Sequence, residues 1–193
     1  MRVSLVFVGL DVHQDSIVIA MARSGRGPAV VVEVILHDWP KLLKRLERIA
    51  PRDRLRVCYE AGPTGYDLAR RLNAAGIACT VVAPSLIPTA KGMRIKTDRR
   101  DALRLAQLFR SGELTAVAIP AEHVEALRDL ERARADAKAD ERTARHRLDK
   151  FLLRHSRRWQ AGTRWTQKHL AWIRGQVFTE KAQQRTLEGY LLA

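Results

Sequence analysis

A chain of 193 residues is long enough for one well-cored domain with an appendage, because domains most often run to about 100 to 150 residues. Its 35 Lys and Arg against 21 Asp and Glu leave a formal charge of +14, which points to a polyanionic partner, since clustered cations displace the counterions condensed on phosphate backbones. No stretch approaches the roughly 18 to 20 apolar residues that span a bilayer, which argues against a membrane protein.

The opening MRVSLVFVGLDVHQ has an apolar run that meets Asp11 directly, without the small-residue cleavage site of a signal peptide, and reads as a buried strand over residues 3 to 10. SIVIAMAR at 16 to 23 resumes the same character after a tight polar link, and AVVVEVIL at 29 to 36 is a third strand. WPKLLKRLERIA then places Leu42, Leu43, Leu46 and Ile49 at helical spacing with charged residues on the other face. LRVCYE at 55 to 60 is a short strand ending on a carboxylate, followed by the turn AGPTG. A helix at 66 to 76 and a buried strand at 77 to 84 follow, then a basic connector to residue 97 and the helix DRRDALRLAQLFRSG. Cys58 and Cys79 lie in separate apolar segments without metal-ligand spacing, and read as reduced thiols in a cytoplasmic setting.

Three strands and then strands alternating with helices give an α/β fold, a mixed sheet covered by helices as in ribonuclease-H-like domains, closing near Pro120. From residue 121 the composition shifts to dense mixed charge, and a long helix is expected over 121 to 158. Its thin stripe of Val124, Leu127, Leu130, Ala133, Ala137, Ala144, Leu148 and Phe151 suits packing against another helix as a coiled coil, from a second subunit included. Residues 159 to 193 carry Trp159, Trp165, Trp172 and Phe178 and read as the start of a linker, the tryptophans serving as buried anchors rather than base-stacking platforms.

Phosphodiester chemistry without a covalent cofactor needs hard cations held by converging carboxylate oxygens, one activating the attacking oxygen and one stabilising the leaving one. Asp11 follows one buried strand, Glu60 ends another, and Asp98 and Asp101 are three apart at a helix start, where side chains share a face. Asp11 has a plainer reading as a turn residue and Asp98 as a helix cap, while Glu60, closing the apolar strand LRVCY, needs a cation or partner to stay ionised; the combination is what carries the metal site. His13 beside Asp11 is able to assist, though a surface turn histidine is its plainer role. Lys91, Arg94, Lys96, Arg99 and Arg100 surround the last two acids and offer a track for a phosphate backbone.

The segments GLDVHQ, YEAGPTGYDLARRL, IKTDRRDALRLAQLFRSGEL and WTQKHLAWI resemble landmark motifs of the insertion-sequence transposases with a RuvC-like DEDD domain, often called the "IS one-ten" family. The resemblance implies a RuvC-like catalytic domain at 1–120, with Asp11, Glu60, Asp98 and Asp101 as its quartet holding Mg2+, or Mn2+ in its place. It further implies oligomers formed through the long helix, DNA as substrate, and a structured guide RNA that pairs with donor and target. Members also carry a C-terminal domain with a catalytic serine. No serine of this chain is assigned that role, so an N-terminal part that binds metal and nucleic acid without completing transposition is the expectation. A Holliday-junction-resolvase-like nuclease and a noncatalytic nucleic-acid-binding or assembly protein are the alternatives, and an actin-like ATPase is disfavoured because a second phosphate hairpin is not found.

Overall fold

The computed structural model describes residues 4–88 and 97–192 and divides into two compact units, Met1–Ile119 and Pro120–Ala193. In the first unit, β1 (Val6–Val12) and β2 (Ser16–Arg23) form an antiparallel hairpin, and β3 (Val30–Leu36) adds antiparallel to β2 at the edge. β4 (Leu55–Glu60) runs parallel to β1, β5 (Ala78–Val82) parallel to β4, and the short β6 (Ala116–Val117) closes antiparallel to β5. The strand order β3-β2-β1-β4-β5-β6, with antiparallel strands on one side and parallel ones beyond β1, is the ribonuclease-H-like mixed sheet that the sequence pattern predicts.

Both faces are covered, which explains why β1, β2 and β4 are nearly continuous apolar runs rather than alternating ones. On one face α1 (Trp39–Ile49) and α2 (Asp67–Ala74) bury Leu42, Leu46, Leu68 and Leu72 against Val8, Leu10, Ile17, Val57 and Tyr59. Asp38 starts α1 by accepting from the Lys41 backbone N–H at 2.9 Å, and Pro40 occupies its first turn, where a missing N–H has no consequence. On the other face lies α3 (Asp98–Ser111), which seats Ala102 and Ala106 against Val18, Ala20 and Ala22 and stops at Gly112, whose φ of +77° suits a glycine. Cys58 and Cys79 are free thiols, and burial pushes both above the usual thiol range, Cys79 to about 12.

Two details differ from the sequence reading. Asp11 lies inside β1, because the strand continues through it to pair with Val18 and Ile17 of β2. β6 has only two residues, too few for a period of two to register.

The second unit is all helical. α4 (Glu122–Arg154) runs for 33 residues, followed by α5 (Gln167–Arg174) and α6 (Lys181–Leu192). Its core joins Leu148, Phe151 and Leu152 of α4 to Ile173, Phe178 and Leu187. Only the C-terminal part of the α4 stripe is therefore covered within the unit, whereas Leu127 and Leu130 are 60% and 64% exposed. The residues after 159 thus fold against the end of α4, their apolar positions too interrupted by turns to show one period in the sequence. No described helix is long and apolar enough to cross a membrane.

His169 of α5 is 1% exposed, and burial pulls its imidazole below the usual histidine range, with Asp149 opposing. An unfolded histidine takes up its proton near pH 6.5, whereas the folded one resists it. This contribution to stability is therefore complete above about pH 6.5 and is lost as the pH falls. We expect the denaturation midpoint of the helical unit, followed by tryptophan emission, to drop more between neutral and mildly acidic pH in the wild type than in His169→Gln. Equal slopes would remove His169 from the acid sensitivity.

Candidate metal centre

The register of β1 and β4 decides where the first two carboxylates point. Leu10 sits opposite Tyr59 in this parallel pair, and both side chains enter the core under α1 and α2. Because side chains alternate along a strand, the next residues, Asp11 and Glu60, face the α3 side at the carboxyl ends of neighbouring strands. Val18, opposite Asp11 on β2, packs with Ala102 and Ala106 and fixes the same face independently. The carboxyl end of a sheet is also where open α/β folds generally hold ligands.

α3 reaches this end because its backbone lies almost directly on β1. Ala20, Gly9 and Cys58 are neighbours in register, forming a trough of small side chains across three strands. A Cβ at Gly9 would stand 2.4 Å from both the Ala102 carbonyl oxygen and the Ala106 nitrogen, and 2.8 Å from the Leu105 Cβ. The close approach is thus possible only with hydrogen at this position. Thr97 caps the helix, its hydroxyl accepting from the Arg100 N–H at 3.4 Å, so Asp98 is not consumed as the cap. Asp98 and Asp101 then occupy the first turn, one helical step apart on one face.

The hairpin turn supplies a further donor. His13 Nε2 lies 3.1 Å from Asp11 Oδ2 and 3.6 Å from Asp98 Oδ1, and the His13 carbonyl is 2.6 Å from His37 Nδ1, which ties the turn to the residue after β3. Among the described residues, Asp11, His13 and Asp98 form a group able to hold a metal ion, their ligand atoms all within 4.8 Å of one another. Glu60 and Asp101 stand outside this group. Glu60 is half-buried at the end of β4, and Asp101 is close enough for its charge to act on Asp11.

Electrostatics favour a cation here. The Asp11 side chain is 13% exposed, and its carboxyl is raised above the ordinary range first by burial and further by the charges of Asp98 and Asp101, while the hydrogen bond from His13 opposes the shift. Converging carboxylates at the end of a sheet repel one another unless a cation stands between them, and hard carboxylate oxygens are what Mg2+ or Mn2+ takes. The donor set therefore fits such an ion, with His13 an added nitrogen beside it.

A family model for transposases of the DEDD type, that of insertion sequence IS110, matches residues 8–156. The chain belongs to the IS110 family of DEDD transposases. It is 44% identical over 185 residues to "Putative transposase y4qE" of Sinorhizobium fredii (strain NBRC 101917 / NGR234), covering 94% of this chain and 47% of that protein. It is 36% identical over 188 residues to the transposase for insertion sequence element IS1533 of Leptospira borgpetersenii, covering 96% of this chain and 54% of that one. The chain thus spans about half the length of the curated relatives it matches. Among solved structures it overlaps T. thermophilus RuvC in complex with a Holliday junction substrate at a TM-score of 0.36 and 13% identity, over 58% of this chain and 99% of that chain.

The span matched to the IS110 family contains all four carboxylates singled out in the sequence. Of the basic residues flanking them, Arg99 and Arg100 are exposed on the first turn of α3, whereas Lys91, Arg94 and Lys96 lie outside the described residues. His13, which the sequence reading leaves as a surface turn histidine, is exposed in the turn and also lies in the group with Asp11 and Asp98. Its signal was present in the spacing of Asp11 and His13, two apart across a strand end, but which way a turn histidine swings depends on the His37 contact some two dozen residues away.

Proposed function

We propose that this chain supplies the DEDD half of a DNA transposase, a metal-dependent enzyme that cleaves and transfers DNA strands under the direction of a structured guide RNA. The observation that supports this reading is the meeting of Asp11 and Asp98 beside His13, their ligand atoms within 4.8 Å of one another, with Glu60 ending the neighbouring strand and Asp101 one helical step from Asp98. In this reading Asp11 and Asp98 hold Mg2+, or Mn2+ in its place, with Glu60 and Asp101 completing the carboxylate set. The bound ions would supply the Lewis acidity that activates the attacking oxygen and stabilises the leaving one. His13 orients the Asp11 carboxylate through its hydrogen bond, and Arg99 and Arg100, with Lys91, Arg94 and Lys96, hold the phosphate backbone alongside. A serine on a separate C-terminal domain completes strand transfer, and exposed Leu127 and Leu130 on α4 support assembly of copies through that helix. The work takes place in the cytoplasm, where the polyanionic partners are.

Glu60→Gln and Asp101→Asn test the part of the quartet that geometry alone supports least. Each is expected to weaken Mn2+ binding, followed by electron paramagnetic resonance, by tenfold or more, and to reduce Mg2+-dependent nicking of supercoiled plasmid in parallel. Unchanged cation affinity in both variants would replace this reading with that of a noncatalytic nucleic-acid-binding fragment.

A further inference from the structure

The helical unit contains a cavity of about 200 Å³ of its own, between the end of α4, the loop that follows it, and α5. Its aromatic wall is Trp159, His169 and Trp172, and its cationic side is Lys150, Arg158 and Arg157, the last with its guanidinium also donating to the Val177 carbonyl at 3.2 Å. The imidazole of His169 and the indole of Trp172 are within 14° of coplanar with centroids 5.8 Å apart, and Trp159 leans on both at 5.2 and 5.6 Å. The other charges on the lining, Asp149 and Arg164, cancel as an ion pair at 3.0 Å. The cavity is left with a net positive rim.

His169 gives this wall a defined hydrogen-bonding character. Its Nδ1 accepts the Trp165 backbone N–H at 2.8 Å, which assigns the proton of the neutral ring to Nε2, a donor. The Trp165 that donates it has a φ of +64°, a left-handed conformation unusual for a bulky residue, in the loop beside the cavity. Flat aromatic groups, one buried imidazole donor and cations on the exposed side match a nucleotide, whose base stacks while its phosphates are neutralised. A paired base is already stacked and hydrogen-bonded within its duplex and does not offer its face to a cleft of this size.

We infer that this cavity binds one unpaired nucleotide of a single-stranded nucleic acid, the base lying against Trp159 and Trp172 and the phosphates against Lys150, Arg157 and Arg158. The inference rests on nucleic acid being the partner, and it is independent of the metal centre. Single-stranded DNA and single-stranded RNA share this chemistry.

The test uses the 193-residue chain and short labelled oligonucleotides of one sequence as single-stranded DNA, single-stranded RNA and duplex DNA, read by fluorescence anisotropy and tryptophan quenching. Trp159→Ala is expected to lower single-strand affinity by about tenfold, the scale of one lost base-stacking contact, with duplex affinity unchanged. Arg158, exposed on the loop, provides a variant with little bearing on folding, and Arg158→Ala should lower single-strand affinity and the quenching together. An abasic strand should bind as weakly as the normal strand binds Trp159→Ala. Whichever sugar binds tighter identifies the source. The inference is overturned if Arg158→Ala leaves single-strand binding and quenching intact, if the abasic strand binds as well as the normal one, or if the variants weaken duplex binding equally. Any of these, with Mn2+ binding intact, would leave the proposed metal function standing.

Discussion

Gly9→Val is expected to destabilise the first unit by about 3 kcal/mol or more, above the usual range for overpacking, and to abolish cation binding although no metal-binding group is changed. The magnitude follows from what a side chain would meet. The two nearest atoms are the Ala102 carbonyl oxygen and the Ala106 nitrogen, both at 2.4 Å, and both belong to the α3 backbone rather than to a side chain that can rotate away. Relief therefore requires the helix to lift from β1, which also uncovers Val18 and Ala20. Since Asp98 and Asp101 ride on the first turn of that helix, the lift carries them away from Asp11 and His13. Urea denaturation of the chain and Mn2+ titration check the two halves of the expectation. A Gly9→Val protein with wild-type stability would show that α3 adapts without loss, and wild-type cation affinity would show that the helix does not position the site. Gly9→Ala should fall between the two, because its Cβ already meets the same backbone atoms.

The same contact shows where the sequence is informative. Strands β1, β2 and β4 are legible because burial on both faces makes them unbroken apolar runs, and α1 because its charged and apolar residues alternate at helical spacing. Asp11 and Glu60 stand out for a related reason: a carboxylate that follows directly on an apolar run is held near the core and calls for a partner charge. What stays hidden depends on pairings between distant segments. Gly9 reads as an ordinary strand glycine until α3 is laid across it, and the approach of the exposed His13 to Asp11 shows only once His37 meets the turn. Asp98 reads as well as a cap as a ligand, and in the fold it is Thr97, one residue earlier, that takes the cap by accepting from the Arg100 N–H. In the helical unit, Trp159 and Trp172 carry no period that separates a core anchor from a cavity wall. Only the fold of the loop against α5 brings them beside His169.

Asp11→Asn should reverse the usual link between a site residue and stability. Without a divalent cation, the wild-type carboxylate is unfavourably placed: it is largely shielded from water and feels the charges of Asp98 and Asp101. An amide of the same shape removes that repulsion and still accepts the hydrogen bond from His13, so the variant is expected to match or exceed the wild type in thermal stability when chelator is present. Cation addition changes the order. An ion that binds only the folded state at a hundredfold over its dissociation constant adds about 2.7 kcal/mol, which the wild type gains and Asp11→Asn, with affinity lowered by roughly a hundredfold or more, largely does not. The melting curves of the two proteins should therefore cross as Mg2+ is titrated in, and Mn2+ resonance should report the lost affinity directly. Equal cation-induced shifts in both proteins would place the ion elsewhere. A variant destabilised to the same extent with and without cation would make Asp11 a structural residue of β1, holding the hairpin turn through His13 rather than holding a metal.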